Sequence, residues 1–365
     1  MDKLLFIRYR KPESIDAGGE QQTNINYHVL CQIFEKENID VIYIHEKQSK
    51  KIILLHAFSI FFYFMKGYYY GLSPKKVSKI ATQGLSYSRV FIDRSIFGII
   101  AKELRNKHYK GKIITFFHNV ESMYFEAKIG KKPWQSMVVD CVTKNDQQAC
   151  NYSDIIIALN ERDQNEIEKR YHRKVDILSP IVFKDQYNQP SYPEGITSAI
   201  PTCLFLGSYF PMNVKGILWF VQNVLPQVSI KLQIIGKGMK AILPMVANLP
   251  NIEVYSDVAN LKPYIEYADF MLLPIFEGSG MKVKTCEALM YGKNIIGTTE
   301  AFEGYNVDYD KVGALCNTKE EFIKILDSVS KHPVPRFNQY ARQTFLNKYS
   351  EEDRKKRFEK VLKLI

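Results

Sequence analysis

Short apolar runs alternate with longer amphipathic stretches along most of the chain. In the first half the β-type runs are Leu4–Arg8, Asp40–Ile44, Arg89–Asp93, Lys112–Phe117, Asp154–Ala158 and Lys174–Leu178, and Gln21–Lys36 carries the spacing of a helix. Apolar runs this short, separated by helix-length segments, predict a parallel sheet buried on both faces. The pattern breaks at Ser179–Pro201, which holds four of the 15 prolines. It restarts with strands at Thr202–Leu206, Lys231–Ile235, Asn251–Tyr255, Asp269–Leu273, Asn294–Gly297 and Val312–Leu315, and the tail from Pro335 reads as helical.

This organisation predicts an α/β protein of two doubly wound halves facing across a cleft. The expected parts are a first domain 1–180, a linker 181–201, a second domain 202–334 and terminal helices 335–365, with a return of those helices to the first domain left open. Open parallel sheets bind ligands outside the carboxyl ends of their strands, so chemistry is sought there.

Composition agrees with a globular chain: 365 residues, 46% hydrophobic, 24% charged. The length favours two cores over one. The longest apolar run, Ile52–Met65, is too short to span a bilayer as a helix. The six cysteines show no metal-site spacing, and reduced thiols are expected. The net charge of +11 changes the picture more. From Lys47 to Lys112 there are 14 Lys or Arg against Asp93 and Glu103, a local +12, so the remainder sums to −1. Within that window lie the apolar run and Tyr68-Tyr69-Tyr70. Aromatic stretches bordered by cations suit the interface of an anionic bilayer, while the same pattern also describes a core helix with basic edges.

Four features sit at expected strand ends. Gly18-Gly19 follows the first strand and lets backbone approach a ligand at a helix N-terminus. His118 follows the run Ile113–Phe117. Gly207-Ser208-Tyr209 with Lys215 follows the first strand of the second half, and Lys215 is expected to open the next helix as a clamp for a diphosphate. The fourth is the most specific: Leu272–Ile275 runs into Phe276-Glu277-Gly278-Ser279-Gly280-Met281-Lys282-Val283-Lys284, then a helix expected to begin near Met281 and to carry Glu287. Loop amides and Lys282 suit phosphates, and a carboxylate such as Glu287 suits the two hydroxyls of a ribose. Lys284 and Glu287 share a helix face.

These features resemble the GT-B glycosyltransferases, in particular the retaining family 4 type, over nearly the whole chain and most strongly over Thr202–Tyr305. The resemblance implies two Rossmann-like domains, a nucleotide-diphospho-sugar bound in the second, and transfer of a hexose-type sugar to a glycan or polyprenyl-diphosphate-linked hydroxyl without a metal or other cofactor. Glu287 with the segment to Ile296, and Glu303-Gly304, look like that family's elements; His118 looks like its first-domain histidine near the donor sugar, and Gly18-Gly19 like its first glycine loop. The catalytic candidates are then His118, Lys215, Lys282 and Glu277. Gly18, Gly19, Gly207, Ser279, Gly280, Met281, Lys284 and Glu287 are the donor-binding candidates. Nine residues separate Glu277 from Glu287 where the family pattern has seven, so Ser279 stands at the strict position of the first glutamate, and Ser208 stands where an arginine is usual.

The implied setting is surface-polysaccharide assembly at the inner face of the bacterial membrane, with a peripheral cytoplasmic enzyme docked through residues 47–112. A sugar-nucleotide 2-epimerase shares the fold and needs no acceptor. A nucleic-acid-binding protein would also use the basic window, but no RRM, KH, helix-turn-helix or zinc signature is present, and no nucleic-acid partner is expected. Asp308-Tyr309-Asp310 has the spacing of a metal-binding DxD, but falls in an expected surface turn.

Overall fold

The computed structural model describes residues 3–12, 18–45, 62–128, 133–187, 195–246, 249–278 and 280–362. The chain divides into two compact units, Met1–Pro180 with Arg354–Ile365, and Ile181–Asp353.

The first unit holds β1 (Leu4–Arg8), β2 (Ile39–Tyr43), β3 (Arg89–Ile92), β4 (Lys112–Phe116), β5 (Ile155–Ala158) and β6 (Ile177–Leu178). All pair in parallel, in the order β2-β1-β3-β4-β5-β6. Every residue of β1 and β5 is buried. Each fully buried Ile, Leu or Phe contributes about 1.5–3 kcal/mol, which is why these segments read as unbroken apolar runs instead of alternating ones.

The second unit repeats the design with β7 (Thr202–Leu206), β8 (Lys231–Gly236), β9 (Ile252–Ser256), β10 (Phe270–Leu273), β11 (Asn294–Gly297) and β12 (Gly313–Leu315). These are also parallel, ordered β12-β11-β10-β7-β8-β9. The two halves are therefore both doubly wound, but with different strand orders. The direction of winding reverses between β1 and β3 in the first sheet and between β7 and β10 in the second. Such switch points open a crevice at the carboxyl ends of the two flanking strands.

Two glycines bring backbone together beside the second switch point. A Cβ on Gly216, in the helix Pro211–Asn223, would overlap the carbonyl oxygen of Pro274 just past β10. A Cβ on Gly236 would overlap the carbonyl of Gly207 just past β7. Any larger residue at either place would push the loops apart.

Several expectations shift. The segment 181–201, expected as a linker, groups with the second unit, where Ile181, Val182 and Phe183 are buried; residues 188–194 lie outside the described residues. Of the terminal helices, Gln339–Lys348 groups with the second unit and only Arg354 onward with the first. The helix expected from Met281 starts at Val283, because Gly280 takes a φ of 67° and Lys282 is extended. Lys215 does not open its helix, which begins at Pro211, where a proline costs no hydrogen bond. Asp308 caps the short helix Tyr309–Val312, accepting from the amide of Asp310 at 3.2 Å. Among the described residues no helix is long and apolar enough to cross a membrane.

Candidate functional site

The second switch point gathers most of the expected donor-binding residues. Strand β7 ends at Gly207 and β10 runs on through Pro274 into the loop that carries Glu277, Gly278 and Gly280; Ser279 lies outside the described residues. Gly280 needs its left-handed φ, a conformation costly for a side-chain-bearing residue. Met281 is buried, and its sulfur accepts from the amide of Ile181 at 3.5 Å, which anchors the loop to the body of the unit.

Three lysines line this loop, each with a distinct partner. Lys215 is exposed and pairs with Glu277, also exposed. Lys282, largely buried, donates to the carbonyl of Gly280 at 2.7 Å and to Glu300 at 2.6 Å. The hydroxyl of Tyr305 donates to the carbonyl of Lys282 at 2.7 Å, fixing the residue that precedes the helix Val283–Met290. That helix start has no side-chain cap. Its first amides are therefore available to an anion, and the helix dipole favours one there.

Lys284 is the third. Its ammonium donates to Asn213 at 2.9 Å and lies 4.7 Å above the ring of Phe205, a β7 residue. Asn213 in turn donates to the carbonyl of Ser208 at 3.0 Å. One lysine thus ties the helix to the loop after β7. Burial pushes Lys284 down to about 7, with Lys282 adding to the effect and Glu287 opposing it. Burial likewise pushes Glu287 up to about 7 against the pull of Lys284. A carboxyl and an ammonium on one helix face are both held near the point of neutrality. Such a pair gains from a ligand that supplies hydroxyl donors to one and phosphate oxygens to the other.

The first unit holds His118 in a separate polar cluster at its own switch point. His118 follows β4, Asp93 follows β3, and both are buried. The ring Nε2 lies 3.2 Å from Oδ1 of Asp93, off the line of a full hydrogen bond. Asn26 donates to the same oxygen at 2.7 Å. Burial lowers the His118 pKa while Asp93 pulls it up; the ring is on balance held toward the neutral form. Burial alone would raise Asp93, but the His118 ring beside it and the donor from Asn26 bring it down to about 2. Beside this pair, Arg94 spans Glu20 at 3.6 Å and Glu121 at 3.9 Å, and Arg8 reaches Glu20 at 3.4 Å.

Gly18 and Gly19, expected in the loop before a helix at Gln21–Lys36, form the first turn of the helix Gly18–Phe34, and a Cβ at position 19 would stand 2.8 Å from the Arg94 guanidinium. Arg94 itself takes a φ of 154°, a strained conformation costing about 1–3 kcal/mol. Asp93, Asn26, Arg94 and Glu300 were not among the expected site residues. Of these only Asp93 had a signal, a carboxylate placed directly after an apolar strand.

All six cysteines are free, and five are buried. Among the described residues no group of three or more His, Cys, Asp or Glu is placed to hold a metal ion.

Residues 200–331 match the family model described as Glycosyl transferases group 1. A 44.6 kDa protein from the cps region of Klebsiella pneumoniae is 25% identical over 174 residues, covering 44% of this chain and 45% of that protein. The chain thus spans about half the length of that curated relative. In fold the likeness extends to the whole chain. Sucrose-phosphate synthase of Thermosynechococcus elongatus matches with a TM-score of 0.71 at 11% identity, covering 100% of this chain and 99% of that one. HepE of Anabaena, solved with UDP and glucose, matches at 0.66 and 11% over 100% of both. A glycosyltransferase of Rickettsia africae matches at 0.63 and 15%, covering 99% and 98%. The architecture is that of GT-B glycosyltransferases.

Proposed function

We propose that this protein is a retaining, metal-independent glycosyltransferase that moves a hexose-type sugar from a nucleotide-diphospho-sugar to a hydroxyl of a glycan or lipid-linked acceptor in bacterial surface-polysaccharide assembly. The observation that carries the reading is the loop and helix after β10. Lys282, Lys284, an uncapped helix start and Glu287 lie together at a switch point, inside the segment that matches the group 1 glycosyl transferases. The cps-region relative supports the setting, and the UDP carried by HepE supports a nucleotide donor.

In this reading the diphosphate lies over the start of the helix Val283–Met290, and Glu287 accepts the ribose hydroxyls. The bond between the anomeric carbon and the diphosphate oxygen breaks, and its electron pair stays on the diphosphate. Lys282 and Lys215 then exchange their carboxylate partners for phosphate oxygens, which sets their positive charge against the negative charge that develops on the diphosphate. In a metal-independent reaction these lysines supply the positive charge that a metal ion supplies in metal-dependent ones. The acceptor oxygen forms the new bond on the face the diphosphate vacates, and its proton passes to a departing diphosphate oxygen. His118, a buried and largely neutral ring, orients the sugar, and its backbone carbonyl stabilises the positive character at the anomeric carbon. Glu277 holds Lys215 between turnovers.

The test is release of nucleoside diphosphate from a panel of nucleotide sugars, with and without glycan and polyprenyl-linked acceptors. Acceptor-dependent release is expected, and His118→Ala cuts turnover strongly with a smaller loss of nucleotide binding. Sugar conversion without an acceptor would instead identify a 2-epimerase, and wild-type turnover in His118→Ala would remove that residue from the mechanism.

We assign the basic window of the first unit to an anionic membrane surface, as a peripheral enzyme at the cytoplasmic leaflet would require. Lys66, Lys75 and Lys79 are exposed, as are the apolar Phe62, Met65 and Tyr70. Each Lys near such a surface contributes about 1 kcal/mol. The window is only in part available: Phe64 is buried, Tyr68 and Tyr69 pack on the core, and Lys76 donates to the carbonyl of Ile44. Residues 46–61, which include most of the Ile52–Met65 run, lie outside the described residues.

A further inference from the structure

The tail of the chain reads as a solvated charged helix, Glu351–Leu362, yet one of its cations is fully buried. Arg354 has no exposed surface, and it joins the first unit from the far end of the sequence. A buried guanidinium is costly unless its donors are all directed at acceptors. Here Nε donates to the Ser179 hydroxyl at 3.1 Å, Nη2 to the carbonyl of Pro180, and Nη1 to Oδ1 of Asn26 at 2.9 Å.

Asn26 makes this more than a packing contact. Its amide oxygen accepts from Arg354 while its amide nitrogen donates to Oδ1 of Asp93 at 2.7 Å. The amide has one workable orientation. Turned over, it would face its NH2 group to a guanidinium and its oxygen to a carboxylate. The next contact is Asp93 Oδ1 to His118 Nε2, at 3.2 Å. A second route runs through an aromatic ring: the Arg354 guanidinium lies 5.3 Å over Phe116, whose ring centroid is 4.8 Å from that of His118. Both routes lead from one arginine to one histidine.

We propose that Arg354, acting through Asn26 and Asp93, is a positioning residue that holds the His118 ring with Nε2 turned inward and leaves Nδ1 as the nitrogen offered to a ligand. The Asp93 oxygen that faces His118 is the one pinned by Asn26, and Asn26 is oriented by Arg354. The carboxylate therefore cannot rotate away from the ring without breaking a buried hydrogen bond. The other charged groups facing the ring, Arg94 and Arg354 itself, disfavour its protonated form, while Asp93 favours it. With the neutral ring donating its Nε2 proton toward Asp93, a single tautomer is selected. The catalytic consequence rests on the transferase reading; the tautomer does not.

The test uses the full-length protein labelled with 15N in its histidines, with the His118 signals identified by their loss in His118→Gln. Ring nitrogen shifts at pH 8 report which nitrogen carries the proton. The wild type shows the Nε2–H tautomer alone. Asn26→Leu, which keeps the arginine's bonds to Ser179 and Pro180, and Arg354→Lys, which keeps the charge but not the forked donors, each populate the Nδ1–H form. In both variants kcat falls on the order of 10- to 100-fold, as for a reacting group displaced by about an ångström, while the donor KM stays within about twofold. A wild-type ring carrying its proton on Nδ1 overturns the proposal without any variant. So does a folded Asn26→Leu protein with the wild-type tautomer and turnover. If the tautomers behave as stated but the wild type turns over no nucleotide sugar, the positioning stands and the transferase reading falls.

Discussion

Replacing Glu287 by Gln should make the ligand-free protein more stable at pH 8 and less able to bind its donor. Burial raises this carboxyl from 4.5 to about 7, so between those values the folded state binds a proton that the unfolded state has released. Stability linked to the group is therefore complete below about pH 4.5, falls as pH rises, and is fully lost above about 7. A shift of about 2.5 units sets a ceiling of about 3 kcal/mol. Glu287 is partly exposed, and Lys284 shares its face, so screening reduces the expected gain to about 1–2 kcal/mol. Lys284 has the opposite sign. Its pKa is lowered from 10.5 to about 7, so its contribution is restored as pH rises between those values. At pH 8 it is mostly neutral, and removing its partner costs little. The assay is thermal unfolding of wild type and Glu287→Gln at pH 5 and pH 8, with and without nucleotide sugar. The apo variant should melt about 2–8 °C higher at pH 8, with little difference at pH 5. The ligand-induced rise should be lost. A variant that melts lower than wild type at pH 8 would show Glu287 to be a satisfied structural carboxylate and not a group held at a cost for a ligand.

Three further outcomes follow from the same geometry. Glu300→Gln removes the carboxylate that occupies Lys282, and nucleoside diphosphate affinity measured by calorimetry should rise by about two- to tenfold, equivalent to about 0.4–1.4 kcal/mol; unchanged or weaker binding would mean the pair orders the loop and does not compete with phosphate. Gly236→Ala drives a Cβ into the Gly207 carbonyl and should lower the melting temperature by several degrees and abolish nucleotide binding, whereas a neutral effect would show that the loops after β7 and β8 can separate freely. The protein should co-sediment with vesicles containing anionic lipid at low salt and be released at high salt, and Lys75→Glu with Lys79→Glu should weaken that binding; no sedimentation at low salt would reject the docking surface.

All twelve strands were legible as short apolar or β-branched runs ended by turns; β1 and β5 are buried throughout, while the edge strands β2, β6 and β9 are only partly buried. Their limits moved by a residue at some ends: Asp93, Phe117 and Asp154 lie just outside the strands although each amide still donates to a neighbouring strand, and β6 shrinks to Ile177–Leu178. The order of the strands was not legible, since parallel pairing partners have no local signature. The switch points that locate both clusters came only with the topology. The donor loop was readable from its glycines and lysines; the helix expected near Met281 starts at Val283, after the extended Lys282, whose carbonyl accepts from Tyr305 far along the chain. Single polar residues that meet across the sequence, such as Glu300 with Lys282 or Asn26 with Asp93, left no pattern to read. Arg354 had one: Arg354, Phe358 and Leu362 fall on a single helical stripe, and that stripe is the buried one.

The function rests on the loop and helix after β10 binding a nucleotide-diphospho-sugar. Thermal-shift measurement against a panel of nucleotide sugars tests it most directly, in wild type and in Lys282→Ala. At least one nucleotide sugar should raise the wild-type melting temperature, the matching nucleoside diphosphate should do so too, and both shifts should collapse in Lys282→Ala. A panel with no stabilising ligand, or a shift that survives the substitution intact, would contradict it.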